Sequence, residues 1–241
     1  MSRAAPDDER EPTWGLGDAA VGWLVAYSAA ATIGALILAL AGHADTKPDD
    51  LPMTMVALSY PPLWLGFVGI PVLVSHLKGR GAVRDFHLAV RLRDLAAIPV
   101  GLLTQFPLVP LVSWPFVVLA GKSMDDLGES ATKLADRADG STVGVVLLVL
   151  IVVIGAPIAE ELFFRGLVLR AFEKRYGTTI AVIASSVVFG ATHFQPLQFP
   201  ALTVAGAVFA LLAVRTDRLG PAILAHMAFN GLTVVNLVWF R

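Results

Sequence analysis

The sequence predicts an all-α, polytopic bundle of membrane-spanning helices. Hydrophobic residues make up 56% of the chain and charged residues only 15%, whereas about a quarter of an ordinary soluble domain is charged. Several apolar runs reach the ~20 residues that a helix needs to cross a bilayer. The chain has no cysteine, which excludes disulfides and Cys-ligated metal sites. We therefore expect a polar tail over residues 1–14 and a single membrane domain over residues 15–241.

The polar tail does not have the pattern of a signal peptide. Its first twelve residues carry four acids against two arginines, without the basic start and short apolar core that a signal peptide shows. We expect the first helix to serve as an uncleaved anchor.

Seven membrane segments are predicted in order along the chain. They cover residues 19–41, 53–75, 95–120, 142–170, 178–194, 201–214 and 219–240. Pro61 and Pro62 interrupt the second segment. The third contains four prolines, which predict either a kink or a break into two pieces. A break would give a total of eight segments. The fourth is too long for one straight span, and the loop over 123–136 is expected to hold a short surface helix.

The distribution of Lys and Arg predicts the orientation. With seven segments, 12 basic residues fall on the side of the N-terminus and 5 on the other side. Since basic loops stay in the cytoplasm, the N-terminus is expected inside and the C-terminus outside. A multi-pass membrane protein is therefore expected, with membrane lipids as partners and no nucleic-acid partner.

Two adjacent carboxylates, Glu160 and Glu161, follow the apolar stretch over 143–159. An ionisable side chain at membrane depth costs at least ~2.5–3.5 kcal/mol, and such residues usually mark a functional site. Residues 142–240 are therefore expected to form the catalytic half of the domain.

Helical spacing assigns faces to the polar residues of this half. Glu161 and Arg165 are four residues apart and can form an ion pair along one helix. Glu160 is rotated from Glu161 by about 100° and is free to point elsewhere. Two further pairs have the same spacing: Phe189 with His193, and His226 with Asn230.

The helices that carry Glu160 and His193 are joined by a tight turn at 176–177. Glu160 lies 16 residues before Tyr176, and His193 lies 16 residues after Gly177. Both are then about 24 Å along antiparallel helices from the turn, which predicts a contact between Glu160 and His193.

The chemistry that fits these residues is hydrolysis. A carboxylate and an imidazole can hold a water and take its proton, while a second imidazole and an amide can donate to an oxyanion. Alternatively, Glu160, His193 and His226 form a His₂Glu set for a catalytic zinc ion. No H-E-x-x-H helix is present, and Ser185 and Ser186 have no evident partner base.

The chain resembles the CAAX prenyl protease and bacteriocin-processing (CPBP) family of intramembrane proteases. The resemblance rests on three motifs in order: E-E-x-x-x-R from Glu160 to Arg165, F-x-x-x-H from Phe189 to His193, and H-x-x-x-N from His226 to Asn230. It covers about residues 143–237.

The resemblance implies an endopeptidase similar to type II CAAX prenyl endopeptidases. It implies that Glu160 and His193 activate the water, that His226 and Asn230 form the oxyanion site, and that Glu161, Arg165 and Phe189 are supporting residues. The substrate would be a peptide or protein, prenylated or membrane-embedded, and a zinc ion would be the cofactor if one is bound. Together with the absence of targeting signals, the resemblance also implies a bacterial plasma membrane as the setting.

Two other functions remain open at this point. A non-catalytic membrane scaffold or bacteriocin-immunity protein would keep the fold without cleavage. A proton-coupled transporter would use the same acids, bases and arginine as a relay, although no internal repeat is seen of the kind that many transporters contain.

Overall fold

A computed structural model describes residues 12–138 and 140–240 of the chain. Most of the tail over 1–14, with Arg3 and Arg10 of the charge count, therefore lies outside the described residues, as does Arg241. Within the described ranges the secondary structure is helical and no strand occurs.

Seven helices, α1 to α7, form the bundle, and all but α5 are long and apolar enough to cross a membrane. Their bounds are α1 Leu16–Leu40, α2 Met53–Lys78, α3 Leu92–Leu119, α4 Thr142–Tyr176, α5 Thr178–Ala191, α6 Phe199–Thr216 and α7 Gly220–Trp239. The polytopic helical fold is thus confirmed, with every helix close to its predicted position. Shorter helical pieces lie between them at Pro48–Asp50, Ala82–Asp85, Met124–Leu127 and Glu129–Asp136.

Prolines shape α2 and α3 in different ways. In α2 the first piece ends at Ser59 and the second begins at Pro61, because proline fits the first turn of a helix but not its interior. In α3 the helical run is continuous, so the alternative with eight segments does not occur. Within this run, Pro99 lies in the first turn of the α-helical piece Ile98–Leu103, and Pro110 lies in the first turn of Val109–Leu119. The π-helical stretch between the two pieces, Thr104–Leu108, contains Pro107.

The helix ends group into two sets of loops, as the predicted seven-segment topology requires. At the end called here the basic end, the loop over 79–91 contacts the turn over 217–219 through Leu219 N–H and the carbonyl of His87 (3.2 Å). At the opposite end, Arg137 donates to the carbonyl of Pro48 (2.7 Å) and joins the loops over 41–52 and 120–141. The orientation of the two ends in the membrane stays a prediction.

A column of buried aromatic rings forms the centre of the bundle. Phe67 of α2 stacks on Phe163 of α4 (4.6 Å between ring centroids), and Phe163 and Phe164 meet edge to face. Phe164 contacts Phe189 of α5 at 5.3 Å. Large apolar side chains such as Leu119 are instead exposed on the outside of the bundle, where hydrocarbon would surround them.

A glycine of α3, Gly101, allows α7 to pack closely against α3. A Cβ on Gly101 would lie only 2.0 Å from the carbonyl oxygen of Ala225. Small residues at such crossings let membrane helices pack closely, so this contact fixes the position of the helix that carries His226 and Asn230.

Candidate functional site

The paired carboxylates lie where α4 departs from regular α-helix. The α-helical piece Ala156–Glu161 is flanked by two π-helical stretches, Val149–Gly155 and Leu162–Val168. Stretches of π-helix are rare and occur often at functional sites. They also change the rotation of the helix on both sides of Glu160 and Glu161.

The two glutamates have different environments, as their 100° rotation predicts. The side chain of Glu161 is fully buried, whereas that of Glu160 keeps 18% of its surface exposed. Glu160 is therefore the carboxylate that a water or a substrate can reach.

Glu161 is the centre of a buried polar network. Its Oε1 accepts hydrogen bonds from Nη1 of Arg165 and from Nδ1 of His226, both at 2.9 Å. The predicted ion pair between Glu161 and Arg165 is therefore present. The bond to His226 was not expected from the sequence, and it ties α4 to α7.

Arg165 is held on its other side by α5 and α6. Its Nη2 donates to the carbonyl of Gly206 at 2.9 Å, and its guanidinium lies 4.3 Å from the ring centroid of Phe189. A Cβ at Gly206 would come within 3.3 Å of Arg165 Nη2, so a glycine leaves room for the buried guanidinium.

His226 faces both glutamates. Because a carboxylate can only accept, the bond to Glu161 places a proton on Nδ1, and Nε2 of the neutral ring is then an acceptor. Nε2 lies 3.9 Å from Oε2 of Glu160, too long for a direct hydrogen bond but suited to a bridging water. The imidazole stacks on Phe209 with 4.6 Å between ring centroids.

Asn230 lies one turn after His226 on α7. Its side-chain amide donates to the carbonyl of Val152 in the first π-helical stretch of α4 (2.8 Å). An amide has two N–H groups, so one remains for another acceptor. The bond fixes the plane of the amide beside α4.

His193 does not lie in a helix, contrary to the sequence analysis. Helix α5 ends at Ala191, and His193 is in the following turn. Pro196 disfavours helix at the residue before it, and Phe194 adopts a left-handed φ of 55°. Nδ1 of His193 bonds to the carbonyl of Phe189 at 2.8 Å, so Nε2 is the nitrogen left free in the neutral ring. The predicted packing of Phe189 against His193 is present at 4.8 Å between ring centroids.

The direct contact predicted between Glu160 and His193 is not formed. In the part of the chain that the structure describes, Oε2 of Glu160 lies 3.9 Å from Nε2 of His226, and no hydrogen bond or ion pair joins Glu160 to His193. The equal distance from the turn predicts equal depth only, whereas the rotation of α4 between its π-helical stretches turns Glu160 towards α7.

Sequence reasoning missed two tyrosines near the site. Tyr27 of α1 donates from its hydroxyl to the carbonyl of Thr192 at 2.7 Å, immediately before His193. Both Tyr27 and Tyr60 lie within electrostatic range of Glu160. No motif in α1 or α2 could signal these residues, because the contacts arise only when the helices pack.

The predicted zinc ligands do not form a metal site in this arrangement. In the described part of the chain, no three His, Asp or Glu side chains converge as a ligand group. Glu160 and His226 approach each other, and the bonds of His226 Nδ1 to Glu161 and of His193 Nδ1 to a carbonyl leave Nε2 of each ring free, as a metal ligand requires. The three side chains do not converge on one point, however, and zinc binding stays a prediction.

The segment that carries most of this network is similar to a known sequence family. Residues 142–232 match the family model described as "Type II CAAX prenyl endopeptidase Rce1-like". The predicted resemblance is thereby confirmed for this segment. The Rce1-like segment contains all seven predicted site residues and ends shortly after Asn230.

Two curated proteins are similar to part of the chain. "Putative membrane peptidase YdiL" of Bacillus subtilis is 33% identical over 91 residues, which cover 38% of this chain and 37% of YdiL. "Uncharacterized 24.3 kDa protein" of Escherichia coli is 34% identical over 117 residues, 46% of this chain and 53% of that protein. The chain thus spans about half the length of these relatives or less. No solved structure matches the chain.

Proposed function

We propose that this multi-pass protein is an intramembrane endopeptidase that hydrolyses a peptide bond with a water held by Glu160. The observation that carries the proposal is the position of His226, with Nδ1 bonded to Glu161 at 2.9 Å and Nε2 3.9 Å from Glu160. The match to the Rce1-like family and the similarity to a protein named as a membrane peptidase support the same class of reaction.

The water would lie between Oε2 of Glu160 and Nε2 of His226. Both atoms accept hydrogen bonds, so the two protons of the water are directed at them and a lone pair on its oxygen is left free to attack. A carboxylate that accepts a hydrogen bond from the attacking water can take its proton and act as a general base. The bonds from Arg165 and His226 to Glu161 hold the imidazole ring in position, as the third group of a catalytic triad does.

In the proposed reaction, the water oxygen bonds to the carbonyl carbon of the substrate while one of its protons passes to Glu160. The free N–H of Asn230 is proposed to donate to the resulting oxyanion, a type of interaction that contributes about 2.7–4 kcal/mol elsewhere. The C–N bond then breaks, and the amine nitrogen takes the proton from Glu160. His193 is proposed to accept a hydrogen bond from the leaving amine through Nε2.

The position of Glu160 along α4 indicates from which side of the membrane a substrate would enter. Along α4, Glu160 lies 16 residues from Tyr176 at the basic end, or roughly 24 Å of regular helix. If the basic end is cytoplasmic, a substrate segment reaches the site from the middle or the outer half of the membrane. A membrane-embedded peptide in the plasma membrane is therefore the proposed substrate class.

The proposal is tested by mapping new peptide N-termini in membranes from cells that express the wild type, Glu160→Gln or Glu129→Gln at matched levels. Glu129 is an exposed carboxylate on a surface helix, so its variant controls for loss of a charge. N-termini that appear with wild type and Glu129→Gln but not with Glu160→Gln support a protease. If no cleavage depends on Glu160 while the Glu160→Gln variant keeps its cellular effect, the protein is a scaffold.

A further inference from the structure

A groove of about 360 Å³ lies at the basic end, away from the candidate active site. The loop over 83–93 forms one wall, and the turn over 216–218 forms the other. The turn leads directly into α7, which carries His226 and Asn230. No role in the proposed hydrolysis uses this groove.

The groove is positively charged. Arg91, Arg93 and Arg218 line it together with one carboxylate, Asp217, which leaves two net positive charges when His87 is neutral. Arg218 is bonded through Nη1 to both oxygens of Asp94 at 2.6 and 2.7 Å. The excess charge therefore belongs to Arg91 and Arg93.

Neither of these arginines is neutralised by the surrounding protein. Both are exposed, and among the described residues no hydrogen bond or ion pair engages either guanidinium. Arg93 lies within electrostatic range of Asp94, but Arg218 already occupies that carboxylate. The other acid, Asp217, is bonded to Arg170 (3.0 Å) and paired with His87 (3.0 Å).

The two walls of the groove are joined by direct contacts. His87 and Asp217, which both have left-handed φ values (52° and 51°), meet with 3.0 Å between Nδ1 and Oδ2. The carbonyls of His87 and Ala89 also accept from the N–H groups of Leu219 and Gly220, both at 3.2 Å.

Exposed apolar side chains are the chain neighbours of the two arginines. Val90 and Leu92 alternate with the two arginines and are 66% and 85% exposed. In a membrane these side chains would face the acyl chains, while the guanidinium groups reach the level of the headgroups. Whatever binds to Arg91 and Arg93 therefore carries negative charge next to hydrocarbon.

We propose that this groove binds the phosphate of an anionic phospholipid from the basic side of the membrane. Arg91 and Arg93 donate to the phosphate oxygens, since guanidinium groups match phosphate geometry. The acyl chains lie against Val90 and Leu92. The lipid phosphate thereby supplies the counter-charge that the protein does not.

The test uses the purified full chain in detergent micelles, mixed with dioleoylphosphatidylglycerol or with dioleoylphosphatidylcholine, and counts bound lipids by native mass spectrometry. The wild type is expected to retain one phosphatidylglycerol in preference to phosphatidylcholine. The variant Arg91→Gln/Arg93→Gln is expected to bind phosphatidylglycerol roughly 10- to 30-fold more weakly, from about 1 kcal/mol for each basic residue near an anionic surface.

The matched control is Arg175→Gln/Arg215→Gln, which removes two exposed arginines of the same end that do not line the groove. It is expected to retain the lipid, and Arg91→Lys/Arg93→Lys is expected to retain most of it. Equal loss in the control and the groove variant would overturn the proposal, because a general surface charge would then explain binding. Unchanged binding in the groove variant would also overturn it. Displacement of the lipid by an equal concentration of inorganic phosphate would show that free phosphate is the ligand instead.

Discussion

Glu161 binds His226 across the interface between α4 and α7, with 2.9 Å between Oε1 and Nδ1. The same oxygen accepts from Arg165, so one buried carboxylate holds a buried cation and orients an imidazole. The neighbouring Glu160 remains partly exposed on the other side of that imidazole. Because the two adjacent glutamates have different environments, we expect substitution of Glu161 to affect stability and substitution of Glu160 to affect activity.

Loss of Glu161 is expected to destabilise the fold. The variant Glu161→Ala leaves Arg165 buried without its partner, which costs about 3–5 kcal/mol in comparable cases. Thermal unfolding in detergent should show a clear drop in midpoint, whereas Glu160→Gln should unfold close to wild type. A Glu161→Ala protein as stable as wild type would contradict the buried network.

Asn230 is expected to act on the reaction rather than on the fold. If its free N–H donates to the oxyanion, Asn230→Ala lowers kcat by about 10²–10³. Asn236→Ala is the matched control, because Asn236 is an exposed residue on the same helix. Cleavage rates of the two variants on one substrate check this, and equal rates would remove Asn230 from the mechanism.

Tyr27 is expected to position the turn that carries His193. Tyr27→Phe removes the donor to the carbonyl of Thr192, and a hydrogen bond of about 1 kcal/mol corresponds to roughly a fivefold fall in kcat. The exposed Tyr176 at the basic end provides the control variant Tyr176→Phe. A change in KM alone, with kcat preserved, would contradict a positioning role and indicate contact with the substrate.

The close crossing of α3 and α7 makes Gly101 sensitive to substitution. A Cβ at Gly101 would overlap the carbonyl of Ala225, and overpacking of this kind typically costs 1–3 kcal/mol. Gly101→Ala should therefore lower the unfolding midpoint and displace α7. Gly69→Ala is the control, since no atom lies within 4 Å of the added Cβ; equal stability of both variants would refute the crossing.

Much of the site could be predicted from the sequence because intrahelical spacing is a local property. The spacing of Glu161 and Arg165 gave their ion pair, and that of Phe189 and His193 gave their ring contact. Six of the seven helices have the length and apolar composition of a membrane span, because hydrocarbon thickness sets the length of a spanning helix, and only α5 is shorter.

The remaining contacts depend on how helices rotate against each other. Glu160 lies next to His226 rather than His193, because two π-helical stretches change the rotation of α4. No pattern in the sequence predicts these stretches. The contribution of Tyr27 likewise depends on where α1 packs. The bond from Glu161 to His226 links residues 65 positions apart, which spacing within a helix cannot reveal.

The central claim is that Glu160 takes a proton from the attacking water. The measurement that tests it most directly is single-turnover cleavage, by the purified chain in liposomes, of a substrate found by mapping N-termini. A general base contributes about 10²–10⁴ in rate, so Glu160→Gln should cleave at least 100-fold more slowly than wild type, while Glu129→Gln should match wild type. Cleavage by Glu160→Gln within a few-fold of wild type would contradict the account.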